Sequence, residues 1–338
     1  MATSTAGRLR PAPTHDRARP IAWTGPAARL TLLTGIVLAV IAVFMTIESR
    51  GNWDFILPFR GRKVLALIVV GYAIAASTVL FQTITANRIL TPSIMGFDAL
   101  YLLIQTVAVF ALGSGRLIQA DPRLRFGVEV TLMVVFAGAL YWWLFVKAER
   151  SLPLLVLVGI IFGVMFRSVT ELLQRLIDPT EFAVLQDIGF ASFNTIDQTL
   201  LTVSTALIAA VSLVLWRMNR QLDAMALGQD IAISLGIDYH RVVLVTLALV
   251  TVLVAVSTAL VGPITFFGLL VAHLAYLLAG SQAHRWVVPA ATLFAVLVLI
   301  SGQMILERVF TFNSSLSVII EFAGGIVFIL LLIRGSRR

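Results

Sequence analysis

Cysteine is absent from all 338 residues, which excludes disulfides, thiolate metal sites and cysteine nucleophiles. Charge is scarce as well: Asp, Glu, Lys and Arg make up 12% of the chain, about half of the ~25% usual in a soluble domain. The four histidines, His15, His240, His273 and His284, are scattered. There is no H-E-x-x-H pair, no dense aspartate cluster and no G-x-x-x-x-G-K-[ST] phosphate loop. The residues therefore offer no metal site, no nucleotide-binding loop and no catalytic constellation, and an enzyme reading has nothing to stand on. A lone histidine such as His273, near the end of an apolar run, reads as a hydrogen-bonded packing residue rather than a ligand.

Apolar residues fill the space left by charge. They form 59% of the chain, and the mean hydropathy is +0.98. The fold class that follows is an all-α polytopic membrane protein. Ten apolar runs stand out, at 30–47, 64–85, 94–112, 127–146, 152–172, 200–216, 242–261, 264–278, 286–305 and 316–333. Each is near the ~20 residues that a helix needs to cross hydrocarbon, the eighth being short. Ten spans place both termini on one side. Ahead of them residues 1–29 form a Pro-, Ala- and Arg-rich tail without an apolar core, so it is not a cleavable signal peptide. It is expected to be a disordered cytoplasmic arm, with residues 30–338 as the membrane domain.

The net charge of +8 points to anionic lipid surfaces rather than nucleic acid, since no aromatic-basic module accompanies it. Arg8, Arg10, Arg17, Arg19 and Arg29 of the tail carry most of the positive-inside bias. The cluster Arg60, Arg62 and Lys63 falls on the outer side and needs another explanation. Polar residues in or near spans are costly in hydrocarbon and are the functional candidates. Asp98 and Glu321 are expected in an interior or pathway position, and Glu129, Glu171 and Arg175 at the headgroups. Residues 178–198 are too polar to cross, and Pro179 suggests a brief interfacial helix there.

One polar interruption, residues 222–241, separates the sixth and seventh spans. Its apolar residues Met225, Ala226, Ile231, Ala232 and Leu235 recur at spacings that suit one face of a short helix. Gly228 and Gly236 punctuate it, the second as a left-handed stop. Periodicity alone leaves two readings, a solvated loop or a helix that docks into a groove on a soluble partner.

Four stretches carry a resemblance to a known family. They are RGRKVLALIVVG at 60–71, RILTPSIMGFDALY at 88–101, ALGQDIAISLG at 226–236 and GPITFFGLLVAH at 262–273. In this order, on ten spans, they resemble the permease subunits of the ABC importers for iron-siderophores, haem and cobalamin. TPSIMGFDALY is most similar to the ferric-siderophore branch, in which two different permeases pair. Two departures are Ala272, where the family usually has Pro, and Tyr276, where an Arg often follows the His.

The resemblance implies a type II ABC importer permease in a cell membrane, with both termini cytoplasmic. It implies a cytoplasmic ATPase dimer that binds ATP and Mg in place of this chain. It also implies a second, different permease, an extracellular or periplasmic substrate-binding protein, and a ferric siderophore as cargo. Ala226, Leu227, Gly228, Asp230, Ala232, Leu235 and Gly236 would form the ATPase-coupling helix. Arg60, Arg62, Lys63 and Arg308 would meet acidic residues of the binding protein, against a plain reading as headgroup anchors. Phe162, Met165, Phe166, Arg167, Glu321, Gly324 and Gly325 would line the pathway. Pro92, Gly96, Gly262, Pro263, Gly268 and His273 would be structural motif positions. An ion-coupled secondary transporter relaying protons through Asp98, Glu129 and Glu321 is the alternative, and haem or cobalamin the alternative cargo.

Overall fold

A computed structural model describes residues 25–47, 53–147, 152–312 and 314–335; tail residues 1–24 lie outside it. In chain order the α-helices are α1 (Pro26–Thr46), α2 (Trp53–Ile84), α3 (Phe97–Leu112), α4 (Ser114–Gln119), α5 (Pro122–Tyr141), α6 (Leu152–Gln174) and α7 (Pro179–Ile188). After them come α8 (Gln198–Met225), α9 (Gln229–Ser234), α10 (Tyr239–Val261), α11 (Phe267–Ala279), α12 (His284–Arg308) and α13 (Leu316–Gly335). A 3-10 turn, Pro92–Met95, precedes α3, and a wider π turn, Trp142–Lys147, prolongs α5.

Each of the ten apolar runs coincides with one helix; among the described residues seven of these are long and apolar enough to cross a membrane, while α3, α11 and the described part of α13 are shorter apolar helices, and α4, α7 and α9 are shorter still. Helix boundaries differ from the sequence reading where polar residues extend an apolar run. The second span begins not at 64 but at Trp53, so Arg60, Arg62 and Lys63 sit within a 32-residue helix, ~48 Å long at 1.5 Å per residue. Helix α8 runs on to Met225, so the polar interruption starts inside a helix. Of the segment 178–198, Pro179–Ile188 forms a helix of its own and Gln198 already begins α8. Asp178 caps α7 by accepting from the Thr180 amide at 2.9 Å and the Thr180 hydroxyl at 2.6 Å, which holds its carboxyl below the usual range.

The centre of the bundle is α2 and α10. Ala66, Ala73, Ala75 and Ala76 of α2 are wholly buried, as are Val243, Val250 and Val256 of α10. Small and β-branched side chains let the backbones approach closely, which matters where lipid supplies no hydrophobic drive between helices. The Thr251 hydroxyl donates to Tyr141 Oη at 3.2 Å and joins α10 to α5. Helix α1 lies at the edge against α12, its apolar side chains mostly facing outward.

Two chain breaks interrupt this packing. In the first, between α2 and α3, Gly96 has φ 89°. A Cβ there would stand 2.6 Å from the Cα of Gly163 in α6. In the second, residues 262–266 between α10 and α11, Gly262 has φ 97° and lies against Ala191 of the loop after α7. The Ser192 amide donates to the Val261 carbonyl at 2.8 Å. Both breaks thus sit where the chain approaches another backbone, which only glycine permits.

Candidate functional site

The bundle has two distinct ends. At one, Arg29 donates to the Leu278 carbonyl, Arg88 to Gln282, and His284 meets Asp223. The element α9 belongs to this end. At the other, Arg60 reaches the end of α1, Lys63 reaches Glu307, and Arg123 donates to Thr199.

Helix α9 is held by its caps. Gly236 (φ 80°) ends it, with its amide donating to Ile233 O at 2.9 Å and the Ile237 amide to Ala232 O at 3.1 Å. That pair of bonds is the Schellman termination. Ala232 and Met225 point into the bundle and are buried. Leu227, Ile231 and Leu235, four apart, are 58%, 50% and 62% exposed. The apolar residues therefore divide between two faces rather than sharing one: Ala232 anchors the helix, and the leucines and Ile231 form a stripe outside it. Ile233, also exposed, stands about 200° round the helix from Ile231 and lies outside the stripe. Ala226, Gly228 and Asp230 flank the stripe, with Gly228 (φ 105°) starting the helix.

At this same end three groups clip α2, α8 and α12 together. The Asp223 carboxylate accepts from the His284 amide at 2.8 Å and lies 2.7 Å from Nδ1, while Nε2 lies 2.8 Å from the Thr83 hydroxyl. This contact joins the base of α9 to the start of α12. Nothing in the spacing of the sequence announced it.

At the opposite end the four cations expected to form a docking rim divide. The Arg60 guanidinium donates to the Phe44, Met45 and Ile47 carbonyls at 2.9, 3.1 and 2.8 Å. It serves the carbonyls that a helix end leaves unpaired, here those of α1. Lys63 is buried: its ammonium lies 2.7 Å from Glu307 Oε1 and 3.1 Å from Asn194 Oδ1. Gln303 completes the network, donating to both acceptors. Lys63 is thus corrected from a docking cation to an internal tie between α2, α12 and the loop after α7. The cause is the approach of Glu307 on α12 and Asn194 in the loop after α7, distant in sequence, which pair with the ammonium inside the bundle. Arg62 is exposed, and Arg308 is half-buried with a long contact to Ile47 O at 3.5 Å. Removing one partner of a buried pair costs ~3–5 kcal/mol, so Lys63→Met is expected to lower the thermal midpoint sharply. Arg62→Met is expected to leave it unchanged, and a thermal melt of the purified protein separates them.

The expected pathway residues also divide. Phe166 is buried and Phe162 half-buried, with ring centroids 5.0 and 5.4 Å from Phe136 of α5. These rings hold α6 to α5 and do not line an open surface. Met165 and Arg167 face outward, beside Leu157, Ile161 and Val164. On α13, Gly324 packs against Leu270, while Gly325 borders open space. Val318, Phe322 and Ile326 are exposed.

Between these helices lies a cavity of about 350 Å³ bordered by Asp98, Arg167, Glu171, Pro263 and Glu321. Glu321 accepts from the Thr265 amide at 3.3 Å. Asp98 is buried and Glu321 half-buried, and both border this cavity. Glu129 does not stay at the headgroups: it is 3% exposed and accepts from Gln105 Nε2 at 2.6 Å. With Arg125 3.4 Å away, it is satisfied locally and does not border this cavity. Among the motif positions, Pro92, Gly96, Gly262, Pro263 and Gly268 are buried and His273 half-buried; a Cβ on Gly268 would collide with Thr78.

Among the described residues, seven helices long and apolar enough to cross a membrane and three shorter apolar ones define a polytopic membrane protein, with a short exposed apolar helix at one end and a polar cavity between α6 and α13. Comparison with known proteins makes this particular. Residues 28–334 match the FecCD transport family, and the chain belongs to it. It is 44% identical over 309 residues to the petrobactin import system permease protein YclO of Bacillus subtilis (strain 168), covering 91% of this chain and 98% of that one. It is 38% identical over 271 residues to the petrobactin import system permease protein FatC of Bacillus anthracis, covering 80% and 77%. Its fold matches a solved metal-chelate type ABC transporter chain in an inward-facing conformation, with TM-score 0.79 at 21% identity over 91% and 99% of the two chains.

Proposed function

We propose that this chain is the membrane permease of an ABC importer that takes up a ferric siderophore. The observation that carries the reading is the apolar stripe of α9, exposed at the end of the bundle in a chain with no phosphate loop of its own. A cytoplasmic ATPase dimer, with ATP and Mg, docks on that stripe, which places both termini in the cytoplasm. A second, different permease covers the exposed apolar faces of α6 and α13, and the pathway runs between the two. A substrate-binding protein meets the opposite end, where Arg62 and Arg308 supply rim charge that steers association more than it adds affinity.

Similarity to YclO and FatC, both named for petrobactin import, supports a siderophore over haem or cobalamin. Binding of ATP by the partner supplies the differential free energy that any alternating-access cycle requires. The test is uptake into proteoliposomes holding this chain with a cognate ATPase and second permease, and the binding protein outside. Ferric petrobactin is expected to enter only with internal ATP, and haem and cobalamin are expected to stay outside. Uptake that needs no ATP and collapses with an uncoupler would return the protein to the ion-coupled class.

A further inference from the structure

The two chain breaks meet at a second, smaller cavity of about 20 Å³, more than the ~10–15 Å³ that one water centre needs. Its walls carry the hydroxyls of Ser77 and Thr78 on α2, Ser93 in the first break, Ser257 and Thr258 on α10, and Thr265 in the second. The carboxylate of Asp98 also borders it. Asp98 is 5% exposed; the Ser93 and Thr265 side chains hydrogen-bond its carboxyl group, while Oδ2 keeps no partner. A buried carboxylate oxygen without a donor is an expensive feature that calls for an occupant.

The surroundings say which kind. Ser77 Oγ donates to the Ile74 carbonyl at 3.1 Å, and Ser257 Oγ donates to the Val254 carbonyl at 3.1 Å. With those protons committed to the helix backbone, the oxygen lone pairs remain for the cavity. The two breaks are irregular segments between helices, and irregular backbone that lines a cavity supplies oxygen-rich surroundings suited to an alkali cation. We propose that this cavity binds one sodium ion, with Asp98 as its counter-charge.

A single carboxylate among neutral oxygens balances one positive charge. A divalent ion would leave an uncompensated charge among spanning helices, and magnesium gives up its water reluctantly. Asp98 also borders the larger cavity, whose charged groups are Asp98, Glu171 and Glu321 against Arg167. That excess of carboxylates draws cations toward the site and gives it a way in. The bound ion would hold α2, α10 and both breaks in one arrangement.

The experiment uses the purified permease with its partner subunits and measures thermal midpoint in sodium, potassium and choline chlorides at constant ionic strength and pH. It also counts radioactive sodium bound at equilibrium. Sodium is expected to raise the midpoint by several degrees over choline, with one ion bound per chain. Asp98→Asn is expected to weaken binding about tenfold or more. Ser257→Ala, which keeps the carboxylate and the helix packing, is expected to weaken it several-fold and decides the matter if Asp98→Asn does not fold. Equal midpoints in sodium and choline would overturn the proposal, as would potassium acting as well as sodium. A midpoint that follows pH but not sodium would do the same, because it assigns a proton to Asp98. Binding is read without turnover, so its failure leaves the permease reading untouched.

Discussion

Ile231→Glu abolishes transport while the permease stays folded in the membrane. Ile231 is half exposed on α9. In the isolated chain the substitution changes an outward-facing side chain, and such changes usually fall within ~0.5 kcal/mol. In the docked state proposed for α9, the same carboxylate would be desolvated against the partner. A central interface position of this kind is worth ~2–4 kcal/mol, about 30- to 1000-fold in association at 1.4 kcal/mol per decade. Leu227→Glu should act alike, since it shares the stripe. Ala232→Glu should behave differently: Ala232 is wholly buried, so a carboxylate there detaches α9 from the bundle and lowers the thermal midpoint. Co-purification of the ATPase and ATP hydrolysis in proteoliposomes read the first effect, and a thermal melt reads the second. Normal uptake by Ile231→Glu would remove the coupling role from α9.

Gly96→Val leaves little folded protein. Two costs add. A β-branched residue at φ 89° occupies a left-handed region that costs L-residues ~1–2 kcal/mol. Its Cβ also meets the Gly163 Cα, a backbone atom that cannot rotate aside, and overpacking of this kind costs ~1–3 kcal/mol. The sum, ~2–5 kcal/mol, is a large part of the ~5–15 kcal/mol that holds a typical protein together. Gly163→Ala isolates the steric half, because Gly163 keeps ordinary helical angles while its Cβ would approach the Gly96 Cα at 2.9 Å. Gly61→Ala, with nothing within 4 Å, is the control. Thermal midpoints that rank the three in any other order would contradict the close approach of α3 and α6.

Much of the fold was legible because hydrocarbon imposes one simple demand. Every backbone group in a span must bond within its own helix, so a run of apolar residues near 20 long reads as a crossing helix without any knowledge of its neighbours. The helix around 229–234 was legible for a second reason: Gly228 and Gly236 mark its limits in the chain itself. Its outer face was only half legible. Ala232 and Leu235 share the apolar alphabet, and composition cannot say which of them meets the bundle and which meets a partner.

Side-chain roles were least legible where charge was concerned. Lys63, Arg60 and Arg62 look alike as a basic run, yet Glu307 and Asn194, more than a hundred residues away, bury the first. The Phe44, Met45 and Ile47 carbonyls occupy the second, and the third points outward. Glu129 read as a headgroup residue because its partner Gln105 lies on another span. Phe162 and Phe166 read as pathway lining because the sequence shows only that α6 is apolar, and Phe136 on α5 decides which way they turn.

The sequence by itself determined a membrane chain of ten apolar runs with no G-x-x-x-x-G-K-[ST] loop and with a glycine-punctuated polar interruption between the sixth and seventh runs. Those features depend on local composition and on bonds formed within a few residues. Only the tertiary structure decided which polar groups are spent inside the bundle and which face a partner or the pathway, and that Asp98 keeps an oxygen unpaired between two chain breaks. Each of those outcomes depends on a residue from a distant helix, and apolar patterning along one helix carries no information about what packs against it.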